Sequence, residues 1–533
     1  MKKALIVIAS VLALVTASAQ WGDRKFTPDQ KLRFAEAIIE NYYVDSVNSD
    51  SLVQEAIVAM LKTLDPHSAY SNPKETEELN QPLEGKFSGI GVQFSIVRDT
   101  VCVVQTTQNG PSQKVGIQPG DRILYVNDSI FTHKGMQNSE VLKTLRGPKG
   151  TKVNLKVKRG DDPALIDFLI VRDDIPVYSV DASYMVSPTT GYVRIARFAE
   201  DTPNEVDRAI DKLKKQGMKN LIIDLEDNGG GYLGAAHGLA SRFLNPGDLV
   251  VYTQGLRQEP QYLHADRSNR RDIDRIVVMV NQYSASASEI LSGALQDHDR
   301  GVIVGRRTFG KGLVQRPFPF PDGSMVRLTT ARYYTPSGRS IQRPYAKGHG
   351  EEYQLDMLNR YNSGELFSAD SIHFDKSQKY QTLNNKRTVY GGGGIMPDYF
   401  VPVDTAYYSK YYRDLMAKSV INNYVTDYLD SHRAELQAQY PTEDQFSAQY
   451  SAAGLIDGLV AAGEKAGIER NDEQLATSRP ILEAILKGLL ERDLYKDGSY
   501  MRAVNPLSPE FQAAVRIIED PAEYNRLLHE SHD

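Results

Sequence analysis

The sequence predicts an α/β protein flanked by helical regions, on three observations. Strand-like apolar runs alternate with helical stretches from Gly191 to about Tyr345. Short strands broken by glycine-rich turns fill the stretch from Gly85 to about Val171. Apolar residues recur at helical spacing before the first of these stretches and after Ala406. A chain of 533 residues is too long for one core and divides into several domains.

Residues 1–19 read as a removable secretory signal. Met1-Lys2-Lys3 is a positive start, Ala4 to Val15 a short apolar run, and Ala17-Ser18-Ala19 an A-x-A cleavage site. The run is too short to span a bilayer comfortably, so no stable membrane insertion is expected after cleavage. Export to a periplasm or cell envelope follows. Loss of Lys2 and Lys3 would take the 62 basic side chains to 60 against 68 acidic ones, and the net charge from −6 to −8. That balance gives no case for nucleic-acid binding. The single Cys102 cannot form an internal disulfide, and within Val101-Cys102-Val103-Val104 it reads as a small buried hydrophobe.

In residues 20–83, Leu32, Ala35, Ile38 and Ile39 repeat at helical spacing, as do Leu52, Ala56, Ile57, Met60 and Leu61. Residues 84–172 carry strands at Ile90–Ile96, Val101–Val104 and Ile123–Asn127, with short helices at Ser112–Gly116 and Ser139–Leu145. Their content and order resemble a PDZ domain, through Phe87-Ser88-Gly89-Ile90-Gly91-Val92 and Gly116-Ile117-Gln118-Pro119-Gly120-Asp121. Gly89 and Gly91 would let backbone N–H groups near Ile90 and Val92 converge on a terminal carboxylate, and the next strand could pair with an extended peptide. Residues 173–404 form the α/β core, with strands at Tyr192–Phe198, Leu221–Leu225, Leu249–Tyr252 and Ile276–Val280. Helices are expected at Pro203–Lys215 and Leu233–Leu244. Residues 346–385 are polar and read as an inserted loop, and residues 405–533 as a helical region.

The chemistry concentrates in two segments. Ser284-Ala285-Ser286-Ala287-Ser288-Glu289 places hydroxyls where a buried strand hands over to a helix, and unpaired N–H groups there can stabilise an oxyanion. Gly310-Lys311-Gly312-Leu313-Val314-Gln315 sets one lysine between two glycines. Serine activated by an uncharged lysine is a known nucleophile–base pair. The residue types alone leave Ser284, Ser286 and Ser288 open.

Two other motifs fail on their context. Gly229-Gly230-Gly231-Tyr232-Leu233-Gly234 fits G-x-G-x-x-G, but the next strand, Leu249–Tyr252, ends without the acid that holds a ribose. Gly305 to Gly312 nearly matches a P-loop, yet Gly312 stands where Ser or Thr is required and the prolines that follow forbid the helix. No nucleotide, metal or other cofactor is implied. His237, His264 and His298 are candidates for a serine–histidine triad; His298, at the end of the helix begun by Ala287, suits a capping or solvated role better.

Taken in order, these segments resemble the carboxyl-terminal processing (tail-specific) serine proteases from about Ile38 to Val403. Further matching pieces are Asn41-Tyr42-Tyr43-Val44-Asp45, Leu64-Asp65-Pro66-His67-Ser68, Thr308 to Gln315 and Tyr333 to Gln342. The resemblance implies a crotonase-like core, Ser286 as nucleophile, Lys311 as base and Gln315 orienting that base. It implies an oxyanion hole from the N–H of Ala287 and the turn holding Gly230 and Gly231. Substrates would be proteins taken by their C-terminal tails. Family members commonly carry Asp-Leu-Arg before this turn, and here Asp224-Leu225-Glu226 puts the role of that arginine in doubt. The helical terminal regions are expected surfaces for a possible homo-oligomer. A PDZ scaffold that binds tails without cutting them is the reading from another class.

Overall fold

The computed structural model describes residues 26–530 except 161, 267–269, 374 and 496–499. The proposed signal at residues 1–19 lies outside the described residues.

A six-stranded sheet runs in the order Val180–Met185, Thr190–Ile195, Asn220–Asp224, Ile276–Val280, Val302–Gly305, Tyr399–Phe400. Its first pair is antiparallel and every later pair parallel. The central strands are near-continuous apolar runs because both faces are covered. Alternate side chains divide between the faces. Leu221, Ile223, Val278 and Val280 meet the helices Thr202–Lys214, Leu233–Ala240 and Ala287–Asp297. Ile222, Val277, Met279 and Val304 meet Phe511, Ala514, Ile517 and Ile518 of the helix Pro509–Glu519. The last helices of the chain therefore cover the second face of the core sheet.

A second, antiparallel sheet joins Ala69–Ser71, Met325–Tyr334, Leu249–Gly255 and Gln258–His264, with Leu313–Pro319 also paired to Met325–Tyr334. The strand Ala69–Ser71 comes from the N-terminal region, where the sequence indicates only helices, and it carries the Asp65–Ser68 turn to the core.

Strands Val92–Val97, Thr100–Thr106, Arg122–Val126, Lys152–Lys158 and Leu165–Val171 form an antiparallel sheet in that order. With the helices Pro111–Val115 and Asn138–Leu145 they enclose Val101, Val103, Ile123, Val141, Leu155 and Ile170. Lys86–Gly89 and Asp173–Pro176 pair where the chain enters and leaves this unit.

Residues 346–385 contain the short helices Gly350–Gln354 and Asp356–Asn362 rather than a bare loop. Buried Arg360 holds them, donating to Glu365 and to the carbonyls of Arg307 and Thr308. The helices Lys410–Ala417, Val420–Gln439, Ile456–Lys465 and Asp472–Leu494 form a separate apolar cluster around Leu429, Leu459 and Leu486. Among the described residues no helix is long and apolar enough to cross a membrane.

Candidate active site

The buried strand Ile276–Val280 ends just before Asn281, and the helix Ala287–Asp297 begins after six intervening residues. Between them Ser286 adopts φ 57°, ψ −112°, a conformation that costs a non-glycine residue roughly 1–3 kcal/mol. The sharp strand-to-helix turn sets this side chain at the helix N-terminus.

Hydroxyl partners separate the three serines. Ser284 Oγ donates to the carbonyl of Leu225 at 2.7 Å and accepts from the Asn281 amide at 2.9 Å. Ser288 Oγ donates to the carbonyl of Asn228 at 2.9 Å. Both are fully buried, whereas Ser286 is only half-buried. Ser284 and Ser288 thus fasten the Leu225–Asn228 loop to the turn, and Ser286 is the one that solvent reaches.

That loop brings Gly230 against Ser286. A Cβ on Gly230 would lie 2.8 Å from Ser286 Cβ and 2.9 Å from the Ala287 nitrogen, so no larger residue fits there. Gly231 is as constrained, since an added Cβ would lie 2.0 Å from the carbonyl oxygen of Phe198. The Gly230 N–H donates to Asn228 Oδ1 at 2.8 Å, which holds the turn closed.

Lys311 arrives from the other side, just before the strand Leu313–Pro319. Its Nζ donates to Gln315 Oε1 at 3.2 Å, and Gln315 Nε2 donates to the carbonyl of His67. Asp65 shapes the turn that supplies this carbonyl, accepting from the amides of His67 and Ser68 and from Thr329 Oγ1. Burial holds the Lys311 amine below its ordinary pKa, and the charge of Arg327 lowers it further, while Glu289 and Asp65 oppose. No hydrogen bond joins Lys311 Nζ to Ser286 Oγ among the described residues. The flanking glycines admit main chain: a Cβ on Gly312 would lie 2.8 Å from the Gln342 nitrogen, and one on Gly310 3.2 Å from that of Gly394.

Two residues without a role in the sequence reading tie the halves together. Glu289, in the first turn of the helix, accepts from the amides of Ser286, Gly310 and Lys311 and from Thr308 Oγ1, at 2.6–2.9 Å. Tyr333 Oη lies 2.7 Å from the Lys311 carbonyl oxygen and 3.2 Å from that of Ser286. The S-x-x-E spacing of a capping box was the available signal for Glu289. For Tyr333 there was only its place in a matching segment.

The triad histidines lie elsewhere. His237, His264 and His298 hydrogen-bond to the carbonyls of His264, Gly247 and Leu249, and His298 does end the helix Ala287–Asp297. The histidine tied to the lysine's network is His67, whose carbonyl accepts from Gln315 and whose ring contacts Tyr353 Oη at 3.0 Å. Burial, and then the charge of Lys311, push it down to about 4, so it is neutral at neutral pH. Glu226 faces Arg306, which also donates to Gln282 and to Glu510 of the helix Pro509–Glu519. Burial first, then Asp224 and Glu510, raise its carboxyl well above the usual range. It belongs to an ion cluster beneath the loop. The near-P-loop runs into a strand rather than a helix.

Residues 189–349 match peptidase family S41, and residues 88–169 match a PDZ domain. A carboxy-terminal-processing protease of Bartonella bacilliformis is 34% identical over 406 residues, covering 75% of this chain and 90% of the relative. The chain belongs to the carboxy-terminal processing proteases. Another relative is carboxy-terminal processing protease CtpA of Bacillus subtilis, 34% identical over 377 residues, covering 67% of this chain and 79% of the relative. Among solved structures, the photosystem II D1 C-terminal processing protease is 29% identical, covering 60% of this chain and 91% of that one with a TM-score of 0.34. This member of the carboxy-terminal processing proteases is a serine protease with a PDZ domain. Residues 411–497 match a family of unknown function.

Proposed function

We propose that the chain is an exported endopeptidase that cuts proteins near or from their C-terminal tails, with a Ser286–Lys311 dyad. The observation that carries this reading is the division of labour among the serines: Ser284 and Ser288 are bound to main chain, and the accessible Ser286 shares its anchor, Glu289, with Lys311. Ser286 Oγ attacks the scissile carbonyl carbon and its proton passes to neutral Lys311 Nζ. The resulting oxyanion is met by the Ala287 N–H and by the Gly231 end of the turn, the Gly230 N–H being held by Asn228 Oδ1; one such donor is worth about a hundred- to thousandfold in rate. The lysine then gives its proton to the leaving amide nitrogen, and water, deprotonated by the same amine, releases the acyl group. Catalytic contacts of this kind tighten as the transition state forms, which the Lys311–Ser286 pair would have to do. A lysine can serve only if its ordinary pKa near 10.4 falls, and the burial of Lys311 acts in that direction.

The parallel sheet with its helices is compatible with a crotonase-like core. Capture of tails by the turn Gly89-Ile90-Gly91-Val92 draws support from the strand that follows it. Val92–Val97 lies at the edge of its sheet, paired on one side with Thr100–Thr106, so a peptide can add to its other side. The homo-oligomer reading draws support from the helix Pro28–Tyr42, which buries none of its residues and leaves Leu32, Phe34 and Ile38 between 43% and 49% exposed. Sedimentation of wild type against a Leu32→Glu/Ile38→Glu variant tests it.

The dyad is tested with an unfolded tail-bearing substrate and a serine-directed acylating probe. Ser286→Ala and Lys311→Ala should abolish cleavage, and Ser286 should carry the probe. Full activity in either variant would defeat the dyad, and an unlabelled wild type would favour the scaffold reading. Export predicts a mature chain beginning at Gln20, which N-terminal sequencing of envelope material would establish.

A further inference from the structure

The C-terminal helices dock on the PDZ domain, and the seam is specific. Arg98 pairs with Asp427, Arg122 with Asp430, and Gln105 Nε2 donates to the carbonyls of Arg492 and Tyr495. The docked helices, Val420–Gln439 and Asp472–Leu494, belong to the stretch that matches a family of unknown function. The seam is not closed along its length. It holds a cavity of about 520 Å³, within the range of ligand sites. One wall is the edge strand itself, with Gln93 and Ser95, together with Asn138 at the start of the facing helix; the other wall carries Asn422, Asn423 and Arg492.

The cavity's position along the strand gives its use. A tail added antiparallel to Val92–Val97 would end beside Val92, at the Gly89–Val92 turn. Strand residues advance about 3.3 Å each, so the lining residues Gln93 to Ile96 lie roughly 3–13 Å upstream of that end. The cavity therefore begins where the PDZ groove has finished with the terminal residue. Its lining is rich in amides and hydroxyls. The Ser95 hydroxyl is buried without a hydrogen-bond partner among the described residues, and the exposed Asn422 and half-buried Asn423 turn their faces of the helix to the same cavity. Such groups suit the main-chain amides and uncharged polar side chains of an extended peptide.

We propose that the C-terminal helices complete the tail-binding site, their Asn422–Asn423 face recognising the residues roughly two to four positions upstream of the substrate's terminal carboxylate. The inference rests on tail capture by the PDZ domain and assigns a second wall to that site. It makes substrate selection depend on the length and polarity of the tail, not only on its last residue.

The test uses the full chain carrying Ser286→Ala, so that bound peptide is not cut. Fluorescein-labelled peptides of three and seven residues share their last three residues, and the four added ones are serine, asparagine and glutamine. Fluorescence polarisation should find the seven-residue peptide bound at least tenfold more tightly. The added Asn422→Ala/Asn423→Ala change should bring it close to the affinity of the three-residue peptide. Equal affinities for the two peptides in the parent chain would overturn the proposal. So would tighter binding of the long peptide when the seam is loosened by Arg122→Ala/Asp430→Ala, since the helices would then be obstructing the groove. If neither peptide binds, PDZ capture fails and the second wall falls with it, whereas binding of both with equal strength leaves PDZ capture standing.

Discussion

The amides of Ser286 and Lys311 donate to the same atom, Oε2 of Glu289, at 2.8 and 2.9 Å. Segments 25 residues apart in sequence are thereby held in one frame by a single buried carboxylate, whose Oε1 also accepts from Thr308 and Gly310. Glu289 touches no reacting atom in the proposed mechanism; it positions the groups that do. Glu289→Gln replaces one acceptor oxygen with an NH2 donor facing N–H groups, which forces the two segments apart. A misplacement of about 1 Å can cost on the order of a hundredfold in rate. We expect kcat to fall by about that factor with KM little changed, in a protein whose circular dichroism matches wild type. A proportional rise in KM with kcat intact would assign Glu289 to substrate binding instead.

Ser284 and Ser288 should separate from Ser286 in the opposite sense. Their hydroxyls satisfy buried carbonyls of Leu225 and Asn228, and leaving such an acceptor unpaired costs about 1–3 kcal/mol. Ser284→Ala and Ser288→Ala should lower the unfolding temperature while the acylating probe still labels Ser286. Loss of labelling in a variant that keeps its native melting temperature would place the chemistry at the altered serine.

Much of this arrangement was legible beforehand, and the rest was hidden for identifiable reasons. The run Ile276–Val280 followed by small residues and Glu289 fixes a buried strand feeding a helix, and glycines about Lys311 mark close main-chain packing. Residue types alone do not distinguish the three serines, because which hydroxyls meet the carbonyls of Leu225 and Asn228 is decided across the fold. The strand Ala69–Ser71 is too short to show a period, and its partner Met325–Tyr334 lies more than 250 residues away. Amphipathic spacing in Pro509–Glu519 declares an apolar face, but not that the core sheet receives it. Glu226, read only as a departure from the family pattern, finds its partner in Arg306, which the sequence gives no reason to place there.

The amine of Lys311 should set the lower limb of the pH profile. Burial disfavours its charged form, and Arg327 adds a second depression, so its pKa lies below the ordinary 10.5. In the proposed dyad only the neutral amine accepts the serine proton, so kcat/KM should rise with pH through that pKa and then level off. Removing the Arg327 charge in Arg327→Met lets the amine hold its proton to higher pH. The half-maximal point of the profile should move upward, and activity at neutral pH should fall. A downward movement, or a profile unchanged by the substitution, would show that another group governs this limb.

Glu491 supplies a stability test remote from the chemistry. It is fully buried in the helix Asp472–Leu494, and neither carboxylate oxygen has a hydrogen-bond partner among the described residues. Burial first, and then Glu443, raise its pKa from 4.5 to about 7, with Asp444 adding to the rise while Arg502 and Lys487 oppose it. Between pH 4.5 and 7 the folded protein therefore binds the proton that the unfolded chain has released, and stability declines as pH rises through this window. Each pKa unit is worth about 1.4 kcal/mol, so the penalty above pH 7 is on the order of 3 kcal/mol. Glu491→Gln keeps the shape and removes the charge. Calorimetry should find the variant close to wild type at pH 5 and more stable at pH 8, in the transition of the C-terminal helices. An equal difference at the two pH values, or a less stable variant at pH 8, would mean that the carboxylate finds a compensating partner on ionising.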